Sequence, residues 1–524
     1  MSAALPETTP HEETRNVVVV GNGMAGSRFV GELRDRDPSV PITVFGAEPQ
    51  RPYNRVLLSN VLAGATDPEH IALVDAAWYA AHGVDARPGV EVTRIDREAR
   101  TVHASDGSVT PYGTLVLATG STAFVPPMPG LAEGMPRGAL AFRTLDDCRR
   151  ISELADSARR AVVIGGGLLG IEAARGLAGR GLDVTVLHLA GHLMERQLDP
   201  AAGRVLARTL AGLGVGSRVG VGVTGVRTSG TGDDRRVTGV ALDVGGESET
   251  IDADLVVVAC GVRPETALAR DAGLAVGRGV IVDDELRSVA DPSVRAIGEC
   301  SEHRDEVYGL VAPAWEQAGI LAGLLAGTDP GARFTGARQI TRLKAAGIEL
   351  ASMGETHFGD EDDDVEVVRF TDVSRGTYKK AIIRDGRLIG AILLGETAAA
   401  GTLTQLYDRA APVPAERVAL LFPGAGGADG GERRAASPLR MPDAATVCQC
   451  NGVTKRRIRE AWEDGARTAG DVAGETRAGT GCGGCRDAVE GILGWLSDQE
   501  TPGAETPAAR APGRRERAVA AAPS

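Results

Sequence analysis

Apolar and polar positions near the N-terminus follow a strand pattern, then a helix pattern, then a strand pattern again. Residues 16–20 are an apolar run that ends at Gly21, residues 24–35 have helical spacing, and residues 42–48 form a second apolar run. An unbroken apolar run between turn signals predicts a strand buried on both faces. The order therefore predicts a β-α-β unit, in which a helix joins two parallel strands.

The same succession returns further along the chain. It comprises a strand and turn over 161–167, a helical stretch over 168–180 and a strand over 183–188. Other apolar runs lie at 114–120, 254–261 and 294–299, and a helical stretch begins near Ala314. Repeated β-α-β units predict an α/β protein with two Rossmann-like, dinucleotide-binding domains.

The first glycine-rich segment is Gly21-Asn-Gly23-Met-Ala-Gly26, which follows the first strand directly. In such a turn the first glycine makes the bend, the second lets backbone approach a pyrophosphate, and the third allows close packing of helix on strand. Glu48 ends the second strand, where a carboxylate can accept from a ribose hydroxyl. Strand, helix and acid together predict nucleotide binding.

The second glycine-rich segment, Gly165-Gly-Gly167-Leu-Leu-Gly170, repeats this arrangement, but its second strand ends in His188. An acid at that point would favour NAD and repel the 2′-phosphate of NADP. A histidine does neither, and a surface histidine at a strand end is an equal alternative. The choice between NADH and NADPH therefore stays open.

Four cysteines lie close together near the C-terminus in a CxC and a CxxC pair: Cys448, Cys450, Cys482 and Cys485. Four thiolates can hold a zinc ion or an iron–sulfur cluster. Nearby glycines leave backbone N–H groups free to bond sulfide, which favours a cluster, with zinc as the main alternative. The other three cysteines, Cys148, Cys260 and Cys300, are scattered, and we expect them to be buried apolar residues.

The composition is that of a globular protein, with 43% hydrophobic and 24% charged residues among 524. A net charge of −13 argues against nucleic acid as a partner. No stretch reaches the roughly 18 apolar residues of a membrane span. The N-terminus lacks the features of a signal peptide, so we expect a cytoplasmic protein with no membrane partner.

Several long stretches resemble one family. They are GNGMAG, ITVFGAEPQRPYNRVLLS, LATGS, VIGGGLLGIEAA, HLMERQLD, CGVRPETALA, AIGECSEH and YGLVAPAWEQA. The first 420 residues resemble the flavin reductase region of bacterial nitrite reductase large subunits, within the two-dinucleotide-domain flavoprotein reductases. The cysteine-rich module resembles the bacterioferritin-associated-ferredoxin-like [2Fe–2S] domain, which favours iron–sulfur over zinc.

The resemblance implies a site for each cofactor. For FAD it implies Gly21, Gly23, Gly26 and Glu48 at the diphosphate and adenosine ribose, Arg55, Thr119 and Gly120 along the flavin, Glu299 beside the ribityl chain, and Glu316 and Gln317 near the isoalloxazine. For NADH or NADPH it implies Gly165, Gly167, Gly170 and Glu172, with His188 at the strand end. For the [2Fe–2S] cluster it implies Cys448, Cys450, Cys482 and Cys485.

The expected domains follow from the same resemblance and from composition. They are an FAD-binding domain in two parts (15–122 and 251–335), an NAD(P)-binding domain (123–250), a small α+β domain (336–421) with strands near 366–370, 378–384 and 387–394, a linker (422–446), a small helical [2Fe–2S] domain (447–497), and disordered ends (1–14 and 498–524).

The sequence departs from the family in two ways. Related ferredoxin reductases place a lysine by the flavin, paired with the glutamate that matches Glu172, whereas Asn60 stands here. The sirohaem and [4Fe–4S] regions of nitrite reductases have no counterpart in these 524 residues, so we expect no nitrite reduction by the chain alone. The catalytic cysteine and the disulfide pair of related branches are also missing.

The resemblance implies an NAD(P)H-dependent electron-transfer oxidoreductase. A nicotinamide would reduce FAD, which would pass single electrons to a [2Fe–2S] cluster, with no side-chain acid or base required. The implied acceptor is a separate molybdenum-cofactor nitrate reductase, or second a sirohaem nitrite reductase. A general ferredoxin or rubredoxin reductase is one alternative. A redox-sensing or iron-handling protein is an alternative of another class.

Overall fold

The computed structural model describes residues 15–75, 77–343, 345, 347–422, 441–448, 451–479 and 485–500. The chain forms two compact units, divided at residue 436. The expected disorder at 1–14 and 501–524 and most of the expected linker therefore lie outside the described residues, whereas residues 498–500, also expected to be disordered, belong to the last helix. No helix in the described ranges combines the length and the apolarity needed to cross a bilayer.

The first segment of the larger unit contains these elements: β1 (Val17–Val20), α1 (Met24–Arg36), β2 (Ile42–Gly46), α2 (Leu58–Leu62), α3 (Trp78–Ala81), β3 (Val84–Pro88), β4 (Val92–Asp96), β5 (Thr101–Ala104), β6 (Val109–Pro111), β7 (Thr114–Leu117) and β8 (Ser121–Ala123). The predicted β-α-β unit is confirmed, because β1 lies parallel to β2 and β7 at the centre of the sheet. All four valines of β1 are buried, as a strand covered on both faces requires.

The next segment contains β9 (Ala139–Ala141), α4 (Leu145–Ala155), β10 (Arg160–Ile164), α5 (Leu168–Gly179), β11 (Asp183–His188), α6 (Pro200–Gly212), β12 (Val215–Val219), β13 (Gly222–Ser229), β14 (Arg236–Val244), β15 (Glu247–Asp252) and β16 (Leu255–Val258). The second β-α-β unit is thereby confirmed, in a parallel sheet of order β12-β11-β10-β16-β9. Strands β13, β14 and β15 form a separate antiparallel sheet.

The chain then returns to the first sheet. Its elements are β17 (Val262–Pro264), α7 (Ala267–Asp271), β18 (Val280–Val282), β19 (Arg287–Ser288), β20 (Asp291–Ala296), β21 (Ser301–His303) and α8 (Val311–Ala326). The completed first sheet has the order β21-β18-β19-β20-β7-β1-β2-β3. Helix α8 begins at Val311 rather than Ala314 and packs on α1.

One strand belongs to a different sheet from the one that the expected domain boundary at residue 250 implies. Strand β16 follows that boundary, yet it pairs with β10 and belongs to the second sheet. The chain crosses back only at β17, which pairs antiparallel with β8. An apolar run shows that a strand is buried, but it does not show which sheet the strand joins.

The last part of the larger unit contains β22 (Ile340–Leu343), β23 (Leu350–Gly354), β24 (Glu366–Asp372), β25 (Thr377–Arg384), β26 (Arg387–Leu394), α9 (Ala400–Asp408) and α10 (Val418–Leu421). The three expected strands are present, in an antiparallel sheet of order β22-β23-β26-β25-β24. This sheet shares a core with the second Rossmann-like domain, in which Leu350, Tyr378 and Ile392 join Leu206 and Leu210.

The smaller unit is mainly helical, as expected. It contains β27 (Thr446–Cys448), β28 (Val453–Thr454), α11 (Lys455–Glu463), α12 (Ala469–Thr476) and α13 (Arg486–Glu500). Thr454 caps α11 by accepting from the Arg457 N–H. Its core includes Ile458, Trp462 and Val489 together with two of the cysteines. The predicted fold class, α/β with a small helical module, is confirmed.

Candidate functional site

The turn after β1 has the geometry that a dinucleotide requires. Gly21 has φ +112°, and a Cβ there would lie 2.1 Å from the Ala118 carbonyl oxygen. A Cβ at Gly26 would lie 1.9 Å from the Gly21 carbonyl oxygen. At Gly23, by contrast, a Cβ would meet no described atom within 4 Å. The outer glycines are therefore required by packing, whereas the middle glycine faces open space.

Helix α1 begins at this open space. Gly23 is its N-cap residue and offers no side chain to bond the first N–H groups. Those N–H groups and the positive end of the helix dipole favour an anion. The turn therefore fits the diphosphate of a dinucleotide.

Glu48 lies just beyond β2 in contact with two other side chains. The Tyr53 hydroxyl donates to Glu48 Oε2 at 2.7 Å, and Arg55 forms an ion pair with Oε1. The Arg55 guanidinium also stacks on the Tyr53 ring, 5.0 Å from its centroid. Burial raises the pKa of Tyr53, so its hydroxyl stays a donor. The structure thus brings Glu48 and Arg55, two expected site residues, into direct contact.

A second charged group surrounds Glu299. Ser121 Oγ donates to Glu299 Oε2 at 2.7 Å, and Arg143 forms an ion pair with the same oxygen. Arg143 also donates to Ser121 Oγ at 2.6 Å. Arg143 was not predicted from the sequence, since it follows β9 outside every motif and is 156 residues from Glu299.

Thr119 and Gly120 connect the carboxyl end of β7 to this group. Thr119 Oγ1 donates to the Glu265 carbonyl at 2.8 Å, and the Glu265 N–H returns a bond to the Gly120 carbonyl at 2.9 Å. Gly120 has φ +72°, a left-handed conformation that suits glycine. The Thr119 hydroxyl thus bonds a backbone carbonyl, and these two hydrogen bonds hold Thr119 and Gly120 against Glu265.

Helix α8 carries the other two residues expected at the flavin. Gln317 is fully buried, and its Oε1 accepts from the Gly298 N–H at 2.7 Å. Its Nε2 has no hydrogen-bond partner among the described residues, which makes it a donor for a polar ligand atom. Glu316 keeps contact with solvent, but surrounding atoms desolvate it and raise the pKa of its carboxyl.

The turn after β10 repeats the geometry of the first turn. Gly165 has φ +117°, and a Cβ there would lie 2.2 Å from the Ala259 carbonyl oxygen. A Cβ at Gly170 would lie 1.9 Å from the Gly165 carbonyl oxygen, and Gly167 again faces open space in the described part of the chain. Gly167 is the N-cap of α5. This turn therefore fits a second dinucleotide.

His188 is buried, which contradicts the alternative of a surface histidine. The Gly166 N–H donates to its Nδ1 at 3.0 Å, and its Nε2 lies 2.9 Å from Glu195 Oε2. Because Nδ1 accepts from a backbone N–H, these contacts assign the tautomer with the proton on Nε2. His188 thus connects the glycine-rich turn to a carboxylate that the sequence analysis did not single out.

Glu172 is buried on α5, and Asn60 lies on α2, which packs against that helix. The amide of Asn60 carries no charge and cannot form the ion pair of the related reductases. Gly176 of α5 faces α2, and a Cβ there would lie 3.4 Å from the Ala63 nitrogen, an ordinary van der Waals contact.

Two of the four clustered cysteines, Cys448 and Cys485, are buried in the core of the smaller unit. Asn451 Nδ2 lies 3.7 Å from Cys448 Sγ and also donates to the Arg477 carbonyl at 2.7 Å. An amide donor beside sulfur suits a charged thiolate. Cys450 and Cys482 lie outside the described residues. The described half of the quartet fits a metal–sulfur centre.

The three scattered cysteines have another environment. Cys148 and Cys300 are buried, Cys260 is partly buried, and each thiol lies within 3.5 Å of a backbone carbonyl. Burial raises the pKa of Cys148 and of Cys260 to about 11. Neither thiol forms a nucleophilic thiolate near neutral pH.

Two similar nucleotide turns on two Rossmann-like sheets define a flavoprotein oxidoreductase with one FAD site and one NAD(P) site. The chain belongs to the pyridine nucleotide-disulphide oxidoreductase family, whose model matches residues 15–318. Residues 340–410 match the rubredoxin NAD+ reductase C-terminal domain, and residues 446–495 match the BFD-like [2Fe–2S] binding domain. FAD, a nicotinamide dinucleotide and a [2Fe–2S] cluster are therefore the cofactors of this chain.

Two curated relatives from Bacillus subtilis (strain 168) match most of the chain. A nitrite reductase [NAD(P)H] is 38% identical over 91% of this chain and 57% of its own length. An assimilatory nitrate reductase electron transfer subunit is 35% identical over 94% of this chain and 61% of its own length. The chain thus spans about three fifths of these relatives.

Among solved structures, the ferredoxin reductase for the CYP199A2 system from Rhodopseudomonas palustris has a TM-score of 0.68 and 28% identity. The match covers 76% of this chain and 96% of that chain.

Proposed function

We propose that this chain takes electrons from NADH or NADPH and delivers them to a separate redox enzyme, first a molybdenum-cofactor nitrate reductase and second a sirohaem nitrite reductase. The observation that carries the proposal is the presence of two similar nucleotide turns and a [2Fe–2S] domain in one chain. The similarity to an electron transfer subunit of assimilatory nitrate reductase supports the acceptor.

FAD can accept two electrons from a nicotinamide and release them singly, and a [2Fe–2S] cluster carries one electron at a time. The chain itself binds and positions these groups. The backbone N–H groups at Gly23 and Gly167 would bind the two diphosphates. Electron transfer of this kind requires no side-chain acid or base.

The proposed FAD site combines both parts of the first domain. Its members are Gly21, Gly23, Gly26, Glu48, Arg55, Thr119, Gly120, Glu299, Glu316 and Gln317. Arg143 joins them, because its ion pair holds the Glu299 carboxylate in place. The proposed donor site comprises Gly165, Gly167, Gly170, Glu172 and His188. The proposed cluster ligands are Cys448, Cys450, Cys482 and Cys485.

The scattered thiols support an exit through the C-terminal domain. The pKa values of Cys148 and Cys260 are raised, so neither offers a ready redox partner near neutral pH. Electrons that enter the larger unit would therefore leave through the cysteine quartet.

The test uses the full chain with Cys448→Ser. We expect this variant to keep FAD and NAD(P)H-dependent ferricyanide reduction, while it loses the visible absorbance of the cluster and nitrate reduction with an added nitrate reductase. Cys148→Ala is the control, because it removes a buried thiol that holds no cluster. Undiminished nitrate reduction by Cys448→Ser would refute the proposal.

A second candidate is a general ferredoxin or rubredoxin reductase. The match of residues 340–410 to the rubredoxin NAD+ reductase C-terminal domain favours it. In such a reductase the [2Fe–2S] cluster would be a built-in relay, so the full chain would reduce an added ferredoxin or rubredoxin and Cys448→Ser would lose that activity, without any requirement for a nitrate reductase.

A further inference from the structure

The loop between β11 and α6 lies directly on the second glycine-rich turn. Besides the His188 bond, the Met194 N–H donates to the Gly166 carbonyl at 2.9 Å. Both backbone polar groups of Gly166 are therefore bonded to this segment. A Cβ at Gly166 would lie 2.6 Å from a Leu193 methyl and 2.8 Å from the His188 ring, so only glycine fits.

Glu195 follows Met194 at this contact. Its side chain is 38% exposed, and its Oε2 accepts from His188 Nε2. The buried imidazole orients the carboxylate beside the turn, and among the described residues no hydrogen bond or ion pair uses the other carboxylate oxygen. Strand β11 ends in His188, at the point where an acid would favour NAD. Here a carboxylate next to that point, Glu195, comes from the following loop instead.

Buried contacts with the α+β domain hold the far end of the loop. Asp199 Oδ2 accepts from the Tyr378 hydroxyl at 2.6 Å and from Lys380 Nζ at 2.7 Å, and all three side chains are buried. Ser352 Oγ donates to the Gln197 carbonyl at 2.8 Å. The loop is therefore fixed at both ends, and Glu195 cannot readily swing away from the turn.

We propose that Glu195 sets the donor preference of this chain in favour of NADH. Its carboxylate would accept from the 2′-hydroxyl of the adenosine ribose and would repel the 2′-phosphate of NADPH. His188 is a positioning residue, because it acts only through Glu195 and Gly166. This inference rests on the proposed role of the second turn as the donor site.

The test measures binding rather than turnover. ADP-ribose and 2′-phospho-ADP-ribose, which carry no nicotinamide, are titrated by calorimetry into the FAD-loaded full chain. We expect tighter binding of ADP-ribose by the unmodified protein. In Glu195→Gln that preference should fall by about tenfold, the factor that corresponds to 1.4 kcal/mol. Glu247→Gln, an exposed carboxylate on β15, is the matched control and should keep the preference.

The remaining outcomes separate the two proposals. Binding of neither fragment by the unmodified protein would overturn the donor-site assignment and this inference together. If both fragments bind and Glu195→Gln leaves the preference unchanged, only the proposed role of Glu195 is overturned. Tighter binding of the 2′-phosphate form by the unmodified protein would also overturn it, and would point to the neighbouring Arg196.

His188→Asn tests positioning. We expect the preference to relax in the same direction as in Glu195→Gln, and the double variant to show no further loss. If His188 were merely structural, His188→Asn would weaken the binding of both fragments equally and leave the ratio of their affinities unchanged. That result would refute the positioning role.

Discussion

The two glycine-rich turns have the same backbone geometry but different side chains beyond the second strand. Gly21 and Gly165 both have positive φ and closely approach a carbonyl of the neighbouring strand, and Gly23 and Gly167 both face open space. In the first domain Glu48 forms an ion pair with Arg55. In the second, Glu195 accepts from His188. The backbone thus has the same turn twice, and we propose that the side chains beyond the second strand distinguish the two nucleotides.

The comparison extends to how each carboxylate is held. Tyr53 donates to Glu48 much as His188 donates to Glu195, so each acid is oriented by a buried ring. Arg55 forms an ion pair with the first acid, whereas the described contacts of the second acid include no arginine or lysine. The second acid therefore has no bonded arginine or lysine to offset its repulsion of a phosphate.

The largest effect should come from filling the open space over each turn. In Gly23→Val the new Cβ meets no described atom within 4 Å but would occupy the proposed diphosphate position, so we expect folded protein without FAD. Gly167→Val should keep FAD and lose binding of ADP-ribose. The flavin-to-protein absorbance ratio and calorimetry measure the two effects.

Gly31→Val is the control, since Gly31 also faces open space but lies within α1. Full flavin content in Gly23→Val would show that the first turn does not hold FAD. Equal loss of flavin in both turn variants would break the distinction between the two sites.

A smaller effect is expected from the Asp199–Lys380 ion pair, which anchors only the loop at the second turn. Lys380→Met leaves Asp199 buried without its cation and should lower the free energy of unfolding by about 3 kcal/mol or more. Chemical denaturation at pH 7 measures this loss. Arg218→Met removes an exposed ion pair and should change little, which makes it the control.

The Lys380→Met effect should depend on pH. Burial pushes the pKa of Asp199 upward, but hydrogen bonds from the Ala202 N–H, Lys380 and Tyr378 outweigh it and lower the pKa overall. A lowered pKa gives stability that is present above the ordinary value of about 3.9 and is lost as pH falls through the folded-state value. The difference between variant and parent should therefore shrink below about pH 4. A difference that stays constant would show that Asp199 is not the group involved.

The smallest of these effects should come from Tyr53→Phe. The change removes the donor to Glu48 and leaves the Leu145 N–H, which donates to the Tyr53 oxygen at 3.0 Å, without that partner. We expect a loss of about 1 to 2 kcal/mol in the free energy of unfolding, with FAD still bound. A loss as large as that of Lys380→Met would mean that the two acids are not held in comparable ways.

The sequence predicted the elements that a local pattern of residues determines. Unbroken runs such as 17–20 and 255–258 indicated buried strands, and the glycine spacing indicated both turns. Strands β22 and β23 were not anticipated, because polar residues interrupt the apolar ones within the short segments ITRL and LASMG. Their burial depends on packing against the rest of the sheet rather than on their own composition.

Side-chain contacts were beyond a local pattern. No spacing rule connects Arg143 to Glu299 across 156 residues, and no periodic pattern indicates that His188 turns inward to bond Glu195, seven residues further on. The sequence alone suggests His188→Glu as the test of donor preference. The structure shows that such a carboxylate would be buried beside Glu195, so Glu195→Gln is the cleaner variant.

The central claim is that electrons from a nicotinamide reach a [2Fe–2S] centre within this chain. An anaerobic titration of the purified full chain with NADH, followed by visible absorbance and combined with iron and zinc analysis, tests it most directly. We expect two irons per chain, as a [2Fe–2S] cluster requires, and bleaching of both the flavin and the iron–sulfur bands. One zinc without iron, or bleaching of the flavin alone, would contradict the account.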